Sequence, residues 1–321
     1  MLLCSTFSTF LESPVFGIMA MVIVGSSWCL AGLIMGDAPK KKIDTSLVQF
    51  FGAFVSVTVS LILGLSTVRM PDCSFEVFFW ACGALFTGAF INFFMMQLMS
   101  EAMQKGPNGV IWAIIQSALI FPFIGGIVFF DVVLNFWRGL GIVLLLSALV
   151  FFGMVKSNNR KGDSSWKRLA FAALAICAVQ QNLTTAPSYY PEAREIPSII
   201  RALATAGGAL SAAVIYNVIR LKKEPALKNL FISNFLNFRL WKYVGALQFF
   251  NLIFAYTLFY PGMDVMAKAG MGGMCYPMMV GSCIVSFTLT SVFILKEKVR
   301  SIQLIALGLC ISGLVFICFP A

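Results

Sequence analysis

The chain has 321 residues and no histidine at all, and none of its nine cysteines forms a CxxC pair. A zinc centre or dithiol redox site is therefore not expected, and its cysteines, mostly inside apolar spans, read as small polarizable fillers. Charge is scarce as well. Only 11% of residues are Asp, Glu, Lys or Arg, against roughly 25% in soluble domains. No carboxylate lies deep in any apolar run, and no nucleophile–base constellation is visible. An intramembrane enzyme is thus a remote reading, with no catalytic residue and no cofactor assigned. The net charge of +10 comes without a basic domain, which argues against nucleic acid as a partner. The first apolar run has no basic segment before it and no obvious cleavage site, so it reads as a retained span.

What the chain does have is apolar length. Sixty per cent of residues are hydrophobic, with 32 Phe and 26 Gly, and the mean hydropathy is +0.90. Ten stretches are long enough to cross about 30 Å of hydrocarbon as helices. They fall at about 15–36, 46–68, 75–99, 107–130, 137–155, 169–188, 198–219, 242–261, 270–295 and 301–319. The expected fold class is an all-α integral membrane protein with the lipid bilayer as its solvent. No room is left for a sizeable soluble domain.

The basic residues sort by loop parity. Eighteen of the 23 Lys and Arg fall on one side, among them Lys40–Lys42, Lys105, Arg220 and Lys222. The other five are Arg69, Arg138, Arg194, Arg201 and Lys268. Basic loops stay in the cytoplasm, so a multi-pass protein of the cell (inner) membrane is expected, with both termini on the extracytoplasmic side. The segment Leu221–Trp241 carries apolar residues at three- and four-residue spacing among lysines and arginines. It reads either as a basic helix in the headgroup layer or as a partly ordered linker.

The two halves of the chain echo each other. Residues 137–151 match 302–316 at an offset of 165, with Ser147 on Ser312 and Phe151 on Phe316. At an offset of 163, Glu101–Lys105 lies on Asp264–Lys268. Five spans is an odd number, so a second copy enters the membrane inverted. Two inverted five-helix repeats, 1–155 and 156–321, are therefore expected to form one membrane domain.

Five-plus-five inverted repeats in a chain of this length resemble the drug/metabolite transporter superfamily. The last two spans carry much of that likeness, through Ser291–Lys298 and the Gly-, Leu- and Val-rich run Leu304–Phe316. Leu247-Gln248-Phe249-Phe250, Leu295-Lys296-Glu297 and the Lys40–Lys42 loop are most similar to the L-rhamnose permease and related sugar-uptake branch. The resemblance implies ten helices, a central polar cavity and, for that branch, proton-coupled sugar import. Export of metabolites or drugs is the alternative within the superfamily, since 16 Met and 32 Phe suit an adaptable cavity.

Polar side chains inside spans mark the candidate site, because unpaired polar groups are costly in lipid. Asn92 lies in span three, Trp112 and Gln116 four apart in span four, and Gln180 in span six. Gln248, Asn251 and Tyr256 lie in span eight, and Tyr276 near the start of span nine. Neutral amides beside aromatic rings suit a sugar, because amides donate to and accept from hydroxyls while rings cover its apolar face. Interhelical hydrogen bonding is the competing role for each amide. Glu101/Lys105 and Asp264/Lys268 are i,i+4 pairs that face each other on a helix. They are candidate gates at opposite mouths, and their acids are candidate proton-coupling groups. A solvated surface pair is the plainer reading of both.

Overall fold

A computed structural model of the chain describes residues 10–67, 72–130, 134–154, 165–225, 227–293, 296 and 300–317. Arg69, Lys156, Arg160, Lys161 and Lys298, five of the bases used in the orientation argument, lie outside the described residues. Every regular element among the described residues is helical.

The first half contains α1 (Pro14–Asp37), α2 (Thr45–Thr67), α3 (Phe75–Lys105), α4 (Asn108–Gln116), α5 (Ile120–Phe129) and α6 (Phe136–Met154). The second half opens with α7 (Ser165–Tyr189), the single turn α8 (Pro191–Arg194) and α9 (Ser198–Lys223). It continues with α10 (Leu227–Phe235), α11 (Phe238–Phe254), α12 (Tyr260–Lys268), α13 (Cys275–Phe293) and α14 (Ser301–Ile317).

Local chemistry sets the ends. Pro14 opens α1, and Ser13 Oγ accepts from the Phe16 amide, satisfying one orphan donor of the first turn. Ser74 caps α3 in the same way through Val77. Helix α3 outruns the expected edge at residue 99 because nothing breaks it before Gly106-Pro107. Prolines explain the interruptions. A 3-10 turn, Ser117–Leu119, joins α4 to α5 just before Pro122, and a π turn, Ala255–Phe259, joins α11 to α12 just before Pro261. Each proline lacks the N–H that would continue the ladder, and the preceding turn tightens or widens to compensate. Span nine starts at Cys275 and not at 270, because Gly270 adopts φ +71 and Gly272–Met274 form a 3-10 turn.

Seven helical rods are long and apolar enough to cross a membrane, namely α1, α2, α3, α4–α5, α7, α9 and α11–α12. Three shorter apolar helices accompany them, within α6, α13 and α14. Large side chains such as Ile62, Phe79, Phe129, Val150 and Phe249 point outward. An apolar surface of this kind belongs in lipid, so the architecture fits a multi-pass all-α membrane protein. The rod α4–α5 is the innermost, with 83% of its apolar window buried against 28–39% for the other six long rods.

Helix α3 packs on α7 and α9, α6 on α14, and α1 on α13 and on α11–α12. Helix α2 packs on α9 and α11, while α4–α5 packs on α7 and α13. Glycines permit the tightest crossings. A Cβ at Gly25 would stand 2.0 Å from the Met279 carbonyl oxygen, and one at Gly208 would stand 2.0 Å from that of Phe86. Residues 227–235 of the basic segment do form a helix. Its Asn234 is buried and accepts from the Asp44 amide at 3.0 Å, while Ile232 and Phe235 face outward.

Candidate functional site

A cavity of about 330 Å³ lies among α1, α2, α3, α4, α7, α9, the α11–α12 rod and α13. That volume is at the lower end of the range of small-molecule sites. Seven of the eight residues chosen from the sequence line it: Asn92, Trp112, Gln116, Gln180, Gln248, Asn251 and Tyr276. Tyr256 stands off the lining, and its hydroxyl meets Ser60 Oγ at 2.5 Å, tying the π turn to α2. Here the interhelical role prevails, because the π turn rotates Tyr256 toward α2.

Several lining groups are held in place. Gln248 Oε1 accepts from Ser56 Oγ at 2.5 Å, and its Nε2 lies over Gly52, where a Cβ would come within 2.6 Å. Trp112 stacks on Phe287 of α13, with centroids 5.0 Å apart and planes 19° off parallel. Gly32 makes room for that stack, since a Cβ there would sit 2.6 Å from Trp112 and 2.7 Å from Phe287. Gln180 donates to Thr184 Oγ1 at 3.0 Å within α7. Gln181 is buried and donates to Cys177 Sγ at 3.3 Å. Its Oε1 and the Nε2 of Gln49, both from lining residues, face no hydrogen-bond partner among the described residues. Buried amide atoms of this kind want a partner.

An aromatic face emerges that the sequence did not single out. Trp28 of α1 lies between Phe259 and Tyr276, with centroids 6.1 and 6.3 Å away. Met35, Met95, Met96 and Met99 add a soft wall. No Asp, Glu, Lys or Arg occurs among the described lining residues.

Charge collects instead beyond the two ends of the cavity. At the end formed by the C-terminus of α1 and the N-terminus of α2, Arg220 Nη1 donates to Asp44 Oδ2 and to Ser46 Oγ, both at 2.9 Å. Tyr243 donates to Asp37 Oδ2 at 2.5 Å, and Lys41 reaches the same oxygen at 2.6 Å. That hydrogen bond to Asp37 pushes the Lys41 ammonium above its ordinary pKa. At the opposite end, Arg201 of α9 forks onto Asp264 of α12, with Nη1 to Oδ1 at 3.0 Å and Nη2 to Oδ2 at 2.5 Å.

The expected acid–lysine pairs therefore diverge. Glu101 and Lys105 do meet, at 2.6 Å, with side chains 51% and 38% exposed. An exposed pair of this type contributes about 0.3–0.5 kcal/mol. Asp264 does not pair with Lys268, which is exposed. Its partner is Arg201, 63 residues away, because the partly buried carboxylate takes the bidentate guanidinium that is already inside the bundle. The signal for this was present in the sequence. Arg201 is the only ionised residue in the expected span 198–219, and an arginine in an apolar span requires a partner.

No family model matches the chain, and no curated protein matches it. A solved crystal structure of a protein is similar over 94% of this chain and 94% of its own length, with a TM-score of 0.58 and 16% identity. That likeness concerns the fold alone.

Proposed function

We propose that the chain is a secondary transporter that carries a small, uncharged, polar solute, a sugar in the first reading, by alternating access. The observation that carries this is a cavity in a bundle of apolar helices, lined by side chains from eight rods with amides and aromatic rings among them, and with charged contacts beyond each end. A lining free of ionised groups favours a neutral solute, since a buried unpaired charge is strongly disfavoured. The methionine wall favours a second reading, export of metabolites or drugs.

The proposed architecture is ten spans in two inverted repeats, with α1, α2, α3, α4–α5 and α6 answering to α7, α9, α11–α12, α13 and α14. The helix packing supports it. Exchanging each rod for its counterpart turns the α3/α7 contact into α11–α12/α1, α3/α9 into α11–α12/α2, and α1/α13 into α7/α4–α5, and all of these occur. The pairs α6/α14, α2/α9 and α4–α5/α13 map onto themselves. Ten spans put both termini on one face of the membrane, and the distribution of lysine and arginine makes it the extracytoplasmic one in this reading. Glu101 and Asp264 are the proposed proton-coupling acids. Uptake into proteoliposomes with and without a proton gradient tests them, and full coupling in both Glu101→Gln and Asp264→Asn removes them from the mechanism.

Thermal unfolding of the purified protein across monosaccharides, amino acids and nucleosides tests the solute class. A rise in Tm with one monosaccharide is expected. A rise only with amino acids or nucleosides overturns the sugar reading, and a rise only with lipophilic drugs favours export. Gly52→Ala is expected to remain folded, because the obstructing atom is the movable end of Gln248. Displacing that amide from Ser56 is expected to weaken the stabilising solute by about tenfold in Kd, or about 1.4 kcal/mol, measured by titration. Unchanged affinity would remove Gln248 from the binding set.

A further inference from the structure

Arg201–Asp264 is the most deeply buried of the four ion pairs among the described residues, with side chains 4% and 18% exposed. It joins the first turn of α9 to α12, two helices that otherwise meet mainly at Tyr260. The fork thus supplies much of what ties them together. Helix α12 is attached to α11 through the π turn Ala255–Phe259, followed by Pro261. A π turn next to a proline is a weak point in a helical ladder and a natural pivot.

The same fork touches the cavity wall through one residue. The Arg201 guanidinium lies 4.8 Å from the centre of the Tyr260 ring. Tyr260 lines the cavity, and its hydroxyl meets Thr205 Oγ1, also on the lining, at 3.0 Å. A solute hydroxyl that takes over either oxygen would pull on the ring beneath the guanidinium. Arg201 Nη2 also donates to the Arg194 carbonyl at 3.4 Å, which anchors the arginine to the α8 turn when the carboxylate leaves.

We propose that Arg201–Asp264 is a latch: α12 pivots on the π turn, the fork opens, and this end of the cavity admits water, with Tyr260 and Thr205 linking cavity occupancy to the latch. The proposal rests on the solute-path reading for its purpose, but its test does not require transport. Ala206 is a buried lining residue of α9, and Cys310 is a buried native thiol of α14 away from the cavity. Ala206→Cys protein in nanodiscs is treated with a charged methanethiosulfonate, and labelling at residues 206 and 310 is read separately by peptide mass spectrometry.

Arg201→Gln and Asp264→Asn are each expected to speed labelling at 206 by about tenfold or more, the scale of one lost charge-assisted hydrogen bond, with labelling at 310 unchanged. Arg201→Lys keeps the charge but loses the fork and is expected to give an intermediate rate. It also keeps the test decisive if the neutral variants fail to fold. Equal labelling at 206 in all variants overturns the latch, as does a joint rise at 206 and 310, which signals general loosening. Faster labelling at 206 in a protein that binds no member of the solute panel keeps the latch and removes the solute reading.

Discussion

Gly25→Val is expected to leave almost no correctly folded protein, with the monodisperse peak in detergent lost on size-exclusion chromatography. The Cβ alone would stand 2.0 Å from the Met279 carbonyl oxygen and 2.5 Å from Ser282 Oγ. Overpacking against side chains typically costs about 1–3 kcal/mol, because rotamers and neighbours give way. Here the obstacle is the backbone of α13, so α1 and α13 must separate along their shared face. In lipid that face is held by close packing and not by a hydrophobic driving force, which makes small residues at the crossing essential. Gly208→Val, set against the Phe86 carbonyl between α9 and α3, is expected to fail in the same way. Gly139→Ala and Gly245→Ala serve as controls, because a Cβ at either meets nothing within 4 Å. Both lie in helices and are expected to fold at least as well as the parent, since alanine is favoured over glycine there by up to about 1 kcal/mol. A Gly25→Val protein that elutes and melts like the parent would show that the α1–α13 crossing is looser than described.

The second large effect concerns the buried charges. Asp264→Ala is expected to destabilise the protein by about 3–5 kcal/mol, the range found when one partner of a buried pair is removed and the other remains. The physical cause is Arg201, which is 3% exposed and would be left without its carboxylate. Replacing both residues by apolar ones, as in Arg201→Met with Asp264→Leu, is expected to recover most of that loss, because desolvation then no longer opposes folding. Lys268→Ala and Glu101→Ala, which alter exposed groups, are expected to stay within about 0.5 kcal/mol of the parent. Thermal melts of the four proteins decide the matter. If Lys268→Ala proves as damaging as Asp264→Ala, the i,i+4 pair read from the sequence is the operative one and the Arg201 fork is not.

These two cases show where sequence reasoning reached and where it stopped. The amides and rings of the cavity were legible because a polar group in an apolar helix is conspicuous whatever the packing, and Trp112 and Gln116 share a face by helical period alone. Trp28 was not, because an aromatic ring in an apolar run looks like any lipid-facing residue until α1 is set against α13. Tyr256 was misplaced because a π turn shifts the angular register, and the 3.6-residue period no longer tells which way a side chain points. Asp44 and Arg220 were missed for a different reason. They sit 176 residues apart at helix ends, where charged residues are ordinary and carry no mark of burial.

Hydropathy and helical period are properties of neighbours along the chain, so helical structure, apolar length and the polar faces within it could be read without coordinates. Which carboxylate meets which arginine, which glycine lies at a crossing and which ring faces the cavity depend on the rotation and order of helices that are distant in sequence. Those quantities are set by side-chain fit between rods, and no pattern within a single rod contains them.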